Sequence, residues 1–479
     1  MANTNSLDRE PVAPVSVENI YCLNGRVPIA KAIPFGLQHV LAMFVSNLVP
    51  VLIVASAAVV GGVAPADGGG FTPEQIAQLL QCAMFVAGIG TIVQLYPVWK
   101  IGSRLPVVMG VSFTFLASLL IVATNPEWGY EGMVGAIIVG GIFEGCLGLT
   151  AKYWRKFISP IVSACVVTTI GLSLLAVGMN SFGGGQGAAD FGAWYHLLVG
   201  LVTLISCLIF KIKAPGIWKN LNVLFGLIVG YILSVILTVT GAAPMVNFGK
   251  FADTISKVGY INIPLPVFFK GITPTFHAGA IITVGIVFLV SAAETIGDTT
   301  AICTGGLGRD ITEREVQGSL ACDGFCSAFS GLFGCNPITS FSQNVGLVAM
   351  TKVVNRFTIL MGALVLVLAS LFPPIGAFFN SLPNSVLGGC TVMMFGSIVF
   401  SGVKMISECG FTDRNMMIVA LTFCFGIGVT MIDPGFLAIF PPLVSSIFAA
   451  NMVAGVFVVS MILSIVLPKE PHIDDAAQP

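Results

Sequence analysis

The sequence predicts an all-α polytopic membrane protein, and three observations predict it. Of its 479 residues 56% are hydrophobic and only 9% are charged, whereas a soluble domain carries charge on roughly a quarter of its residues. The apolar residues fall in blocks of about 20, the length a helix needs to cross a hydrocarbon core of ~30 Å; soluble helices carry an amphipathic stripe instead. Basic residues gather in alternate loops between the blocks, as they do on the cytoplasmic side of a membrane. A formal net charge of −1 supplies no basic field for nucleic acid and no acidic tract for a cationic partner.

In chain order, residues 1–31 form a polar tail with Asp8, Arg9, Glu10, Pro11 and Pro14. It lacks the apolar run of a cleaved secretory signal, so the first span is expected to be its own insertion signal. Fourteen apolar segments follow. The first seven lie near 33–59, 74–96, 107–123, 131–150, 157–178, 192–210 and 221–240. The second seven lie near 278–304, 315–334, 338–351, 357–375, 385–403, 413–432 and 436–467. This count puts 18 of the 21 basic residues on one side, from Arg9, Arg26 and Lys31 through Lys152, Arg155 and Lys156 to Lys404, Arg414 and Lys469. The other three, Lys250, Lys257 and Lys270, share the long loop 241–277, where the positive-inside rule is weak. Both termini are therefore expected in the cytoplasm, with the chain in a plasma or bacterial inner membrane.

The 12 cysteines are scattered, mostly inside apolar segments (Cys82, Cys146, Cys165, Cys207, Cys303), and read as small buried hydrophobes. Cys322 and Cys326 share a helix face without a third ligand, so no metal is expected. No Gly-rich loop ending in Gly-Lys-Ser/Thr is present, which argues against direct use of ATP. No nucleophile–base pair suggests an enzyme, and no cofactor is implied.

Segments three and ten do not read as ordinary helices. Segment three runs Leu105-Pro106-Val107-Val108-Met109-Gly110-Val111-Ser112-Phe113, and segment ten runs Asn336-Pro337-Ile338-Thr339-Ser340-Phe341-Ser342-Gln343-Asn344. Irregular backbone at membrane depth survives only when buried in protein or lining a cavity. The two segments stand seven apart, and Ser112 and Phe113 lie at the same offsets from their proline as Gln343 and Asn344 do from theirs. A matched pair of broken segments points to a transporter's substrate site; the alternative is a chance proline match.

Ionisable groups inside spans are costly and therefore informative. Glu294 and Asp298 in segment eight share a helix face at i, i+4, so at least one needs a proton or a polar partner. Asp323 lies mid-segment nine, where its alternative role is pinning a helix through a backbone contact. His39 follows Gln38 in segment one, where the alternative is a hydrogen bond between helices. Asp433 and Glu144 fall near span ends and are expected to be solvated or interfacial. Lys352 is explained by the positive-inside bias. The 55 glycines, among them Gly140, Gly141, Gly145 and Gly148, permit close helix packing.

At Gln343-Asn344-Val345-Gly346-Leu347-Val348-Ala349-Met350-Thr351-Lys352 the sequence resembles the nucleobase–ascorbate transporter family, also called the xanthine/uracil permeases. That signature is Gln, Glu or Pro, then Asn, any residue, Gly, four residues, Thr and a small or basic residue. The Gln38-His39 pair, Glu294 with Asp298, and Asp323 are similar to the family's motifs too. The resemblance covers nearly the whole chain and implies two inverted seven-segment repeats. A core domain would comprise 32–151 (segments 1–4) and 278–376 (segments 8–11). A gate domain would comprise 152–277 (segments 5–7 and the long external loop) and 377–467 (segments 12–14), with cytoplasmic tails at 1–31 and 468–479. It also implies a short β-strand and a half-helix in segments three and ten, and a homodimer.

Within the family, Gln at the signature's first position resembles the oxopurine carriers, Glu the uracil carriers and Pro the vitamin C carriers. The implied substrate-binding residues are Glu294, Gln343, Phe113, Ser112, Ser342 and Asn344. His39, Asp298 and Asp323 are implied in proton coupling or in organising the site. An amide offers both a donor and an acceptor, which suits a purine edge with C=O beside N–H, and an ionised Glu294 would accept charge-assisted bonds from ring N–H groups. Ser112, where some xanthine-selective members have Asn, leaves room for the extra oxo group of urate. The expected function is proton-driven uptake of xanthine, urate or both, with sodium as the other coupling ion to test. The rivals are a uracil carrier, an anion carrier of the sulfate-permease type, and a channel.

Overall fold

The computed structural model describes residues 11–65, 68–155, 158–185, 188–439 and 452–468. Asp8, Arg9, Glu10, Lys156 and Lys469, residues 440–451 of segment fourteen and the tail from 469 onwards lie outside the described residues. Helices α1 (Ile29–Ala57) and α2 (Pro73–Leu95) lead to strand β1 (Met109–Val111), the half-length α3 (Leu116–Ala123), α4 (Gly129–Leu149) and a single turn, α5 (Ala151–Trp154). Next come α6 (Pro160–Ser173) with its continuation α7 (Leu175–Phe182), α8 (Trp194–Lys213), α9 (Asn222–Val239) and α10 (Phe248–Val258). The second half holds α11 (Ala278–Ala301), α12 (Glu313–Leu332), strand β2 (Ile338–Ser340), α13 (Ser342–Thr351), α14 (Arg356–Ala369) and α15 (Pro373–Asn380). It ends with α16 (Asn384–Glu408), α17 (Asp413–Gly428) and α18 (Met452–Val466).

Local chemistry sets these boundaries. Thr72 and Gln75 form a reciprocal capping box at the start of α2, with Pro73 at its first position; Thr312 and Glu315 do the same for α12. Such caps satisfy the amide groups a helix start leaves unpaired. Among the described residues nine helices are long and apolar enough to cross a membrane, or ten if the bent pair α14–α15 counts as one span. The chain is therefore a multi-pass, essentially all-helical membrane protein. The other expected spans are of different kinds: α3 and α13 have 8 and 10 residues, α18 has 15, and α12 carries Asp323 in its buried middle.

Three features differ from a plain reading of hydropathy. Segment eleven bends by 78° between α14 and α15, where Pro373 and Pro374 cannot continue the hydrogen-bond ladder of α14. Helix α11 ends in a π-turn over Ile302–Leu307. The loop 241–277 contains α10, whose Lys257 pairs with Glu74 at 2.7 Å. In addition, the expected boundary at 376/377 falls inside α15, which packs on α2.

The most extensive helix contact is α4 with α12. It is made of glycines: a Cβ at Gly141 would stand 2.5 Å from the Ala328 nitrogen, and one at Gly324 would overlap the Gly145 nitrogen. Helices α8 and α9 pack on each other and turn Leu197, Leu201, Ile205, Leu208 and Ile212, with Ile228, Ile232 and Ile236, outward. Their three- and four-residue spacing puts these side chains on exposed faces fit for lipid.

Candidate functional site

Strands β1 and β2 pair antiparallel, with Met109 opposite Ser340, Gly110 opposite Thr339 and Val111 opposite Ile338. The pairing extends at both ends, through Ser112 N–H to Pro337 C=O (3.0 Å) and Phe341 N–H to Val108 C=O (2.9 Å). Their backbone groups are thus satisfied where no water or lipid could serve them. Each strand runs into a half-helix, so the residues between strand and helix face a common space. Asn47 of α1 anchors this arrangement, its amide oxygen accepting from Val111 N–H at 2.8 Å.

That space is a cavity of about 100 Å³, where a single water needs about 10–15 Å³; its scale is that of a small heterocycle. It is lined by Ser112, Phe113, Thr114, Glu294, Ser340, Ser342 and Gln343, with Val167 and Ile170 of α6 and Ser397, Ile398 and Ser401 of α16 on the facing wall. Phe113 is held edge-on against Phe395 of α16, with centroids 5.4 Å apart and planes at 82°.

The carboxyls are wired by hydroxyl donors. Thr114 Oγ1 donates to Glu294 at 2.5 Å. Ser342 Oγ lies 3.4 Å from Glu294 and 2.9 Å from Asp298, and Ser340 Oγ donates to Asp298 at 2.9 Å. Asp323, fully buried, accepts from Thr295 Oγ1, from Ser340 N–H at 3.1 Å and from the Gln94 amide at 3.5 Å. Asp323 therefore ties β2 to α11 and α2, and does not line the cavity. No group of three or more His, Cys, Asp or Glu among the described residues is placed to hold a metal.

Of the residues expected to bind substrate, Ser112, Phe113, Glu294, Ser342 and Gln343 line the one cavity. Asn344 does not. One helical step beyond Gln343, it turns to α1 and its amide donates to the His39 carbonyl at 3.1 Å. The ring of His39 is buried, and its Nδ1 has no hydrogen-bond partner. Asp433 is exposed, as expected. Glu144 is the correction: expected at an interface, it is 0% exposed, because α4 continues past it to Leu149 and α12 covers it.

Several residues here were not singled out by sequence. Thr114, Ser340 and Thr295 are ordinary hydroxyls until the strands bring them to a carboxyl. Gln94 had a weaker signal, an amide in the last turn of an apolar span. Ser397 and Ser401 share a face of α16 at i, i+4, a weak sign of a polar lining.

Residues 30–435 match the model of a permease family, that of the xanthine/uracil permeases. The chain is 32% identical over 439 residues to the xanthine permease of Bacillus subtilis (strain 168), covering 91% of this chain and 93% of that one. It is 30% identical over 437 residues to the uric acid permease PucJ of the same organism, covering 89% and 90%. In fold it is similar to the transmembrane domain of a cyanobacterium bicarbonate transporter, BicA, with a TM-score of 0.56 at 14% identity over 91% of this chain and 97% of that one. With a family model spanning most of its length, relatives matched end to end, and the signature Gln343-Asn344-Val345-Gly346 set at the mouth of a half-helix, the chain belongs to the nucleobase–ascorbate transporters, the xanthine/uracil permease family.

Proposed function

We propose that this permease carries oxopurines, xanthine and urate, into the cell, and that the cavity between the paired strands and α16 is where they bind. The observation that carries this reading is the convergence of Glu294, Gln343 and Phe113 on one small cavity. Glu294 accepts ring N–H groups, Gln343 donates to a C=O and accepts from its neighbouring N–H, and Phe113 stacks on or edges the flat ring. Thr114 holds the Glu294 carboxylate in one orientation, so little ordering cost is left for binding. The names of the relatives, xanthine permease and uric acid permease, favour the same substrate class. Gln rather than Glu at 343 disfavours a uracil carrier. The likeness to a bicarbonate transporter is one of fold alone, and function lives in the site.

The same reading takes the chain through the bilayer fourteen times in two inverted repeats, with basic loops and both termini cytoplasmic. Its support is the strand pairing. Counted from Pro106 and Pro337, the paired residues are +3 with +3, +4 with +2 and +5 with +1, the pattern a two-fold axis through Met109 and Ser340 would generate. In this reading segments 1–4 and 8–11 form the core that carries the substrate, and segments 5–7 and 12–14 the gate, so the cavity lies on their seam, where alternating access operates. Accumulation is driven by protons, exchanged at Asp298, Asp323 or His39.

The test is uptake of labelled xanthine, urate, hypoxanthine and uracil by cells lacking their own carriers, with and without an uncoupler. Uptake of xanthine and urate that an uncoupler abolishes is expected. Uptake of uracil alone would remove the oxopurine assignment, and sodium dependence without a proton effect would replace the coupling ion.

A further inference from the structure

Glu144 has no place in the site described above, yet it is one of the most expensively buried groups in the chain. It is 0% exposed, and neither carboxyl oxygen has a hydrogen-bond partner. The backbone seam beside it is tightly packed: a Cβ added at Gly324 would lie 2.6 Å from the Glu144 carbonyl carbon, and one at Gly145 would lie 2.8 Å from the Phe325 ring. The charged groups acting on it are both acidic, Asp323 from α12 and Glu294 from α11. Ser291 Oγ faces it from α11 without closing a hydrogen bond. Helix α3, which also packs on α4, has no titratable residue, and α5 offers only Lys152 and Tyr153, beyond the end of α4.

Its acidic neighbours are better served. Glu294 accepts from Thr114, Asp298 from Ser340, one of the two also from Ser342, and Asp323 from Thr295, Gln94 and a backbone amide. Each therefore has hydroxyl or amide donors that offset part of the cost of its charged form. An anion at Glu144 would have at most the Ser291 hydroxyl to turn to and two like charges nearby, whereas the neutral acid forfeits much less on burial. Intramembrane carboxyls maintained at such cost mark proton or ion pathways.

We propose that Glu144 is a proton-binding site of the carrier, loaded in the state seen here and unloaded in another state of the transport cycle. On unloading, the Glu144 O–H bond breaks and the proton passes to a carboxylate oxygen of Asp323. Glu144 becomes the anion and Asp323 the acid, and Ser291 turns its hydroxyl to donate to the new carboxylate. No co-reactant is needed. The inference rests on the proton-driven reading of the site and adds a residue that the site itself does not contain.

The experiment compares the parent protein with Glu144→Gln and Glu144→Asp in proteoliposomes. Glu144→Gln copies the shape of the loaded acid but cannot release a proton. It should keep exchange of internal for external xanthine within about twofold while losing gradient-driven accumulation by about tenfold or more. Glu144→Asp should retain accumulation. Infrared spectroscopy should show a carboxylic acid C=O band in the parent that is missing in Glu144→Gln. Undiminished accumulation by Glu144→Gln would overturn the proposal, as would an unchanged band. So would equal loss of exchange and accumulation with a lowered melting temperature, which would make Glu144 a packing residue. If the parent itself does not respond to a proton gradient, the coupling reading fails, and the infrared band, measured without any gradient, still decides whether Glu144 carries a proton.

Discussion

Ser342 lies 2.9 Å from Asp298 and 3.4 Å from Glu294, and its single hydroxyl hydrogen can serve only one of them at a time. Thr114 is then the firm donor to Glu294. Thr114→Val keeps the shape and removes that donor. A buried acceptor left short of a partner costs about 1–3 kcal/mol, so KM for xanthine should rise by about 5- to 150-fold, with Thr114→Ser restoring it; an unchanged KM would show that Thr114 does not organise Glu294. Gln343→Glu keeps acceptors but loses the amide donors, and should weaken xanthine and urate uptake by a similar factor. If both are untouched, Gln343 is not in the site. Glu294→Gln should abolish binding, while Asp298→Asn and Asp323→Asn should spare binding more than uphill accumulation. Binding in detergent beside uptake in proteoliposomes separates these outcomes, and equal loss in all three would end the division of labour.

Two broken segments and one glycine seam do most to position the site. Pro106 and Pro337 made the irregularity of segments three and ten legible in sequence. Their register was not, since pairing between residues so far apart in the chain depends on how α1, α2 and α12 hold the strands. The α4–α12 seam is set by Gly141, Gly145, Gly148 and Gly324, and it holds Asp323 beside α11. Gly324→Ala would press a methyl on the backbone of α4. Overpacking of this kind costs about 1–3 kcal/mol and should lower the melting temperature and the yield of folded protein. Gly285→Ala, on α11 with open space around it, should do neither. Equal behaviour of the two variants would mean that the seam relaxes freely.

Across the whole molecule, Ser46 of α1 donates to the Met394 sulfur of α16 at 2.9 Å, and Phe113 meets Phe395. If the two sets of helices move past each other as rigid bodies, cysteines replacing Ser46 and Met394, bridged by a short bifunctional thiol reagent, should stop uptake until the bridge is reduced. Transport continuing through the bridge would rule out that motion. Orientation is tested separately. Single cysteines placed beside Arg155 and Arg309 should react with an impermeant thiol reagent only from the cytoplasmic side, and one at Gly192 only from outside; labelling of all three from one face would remove the fourteen-span orientation.

The sequence by itself determined that the chain lives in a bilayer, because 9% charge cannot clothe a soluble surface, and it determined the family, because Gln343-Asn344-Val345-Gly346 with Glu294, Asp298 and Asp323 form linked motifs. It also marked which polar side chains are too costly to be incidental. Only the tertiary structure decided which of them meet. Gln343 and Asn344 are adjacent in the chain, but one helical step of about 100° turns the first to the cavity and the second to α1. Glu144 reads as interfacial from its place near the end of an apolar block, but burial depends on what covers a residue, and Gly324, far away in sequence, lets α12 close over it. Hydropathy reports depth along one helix; contact between helices is set by the shapes of both, and one sequence read segment by segment holds only half of that information.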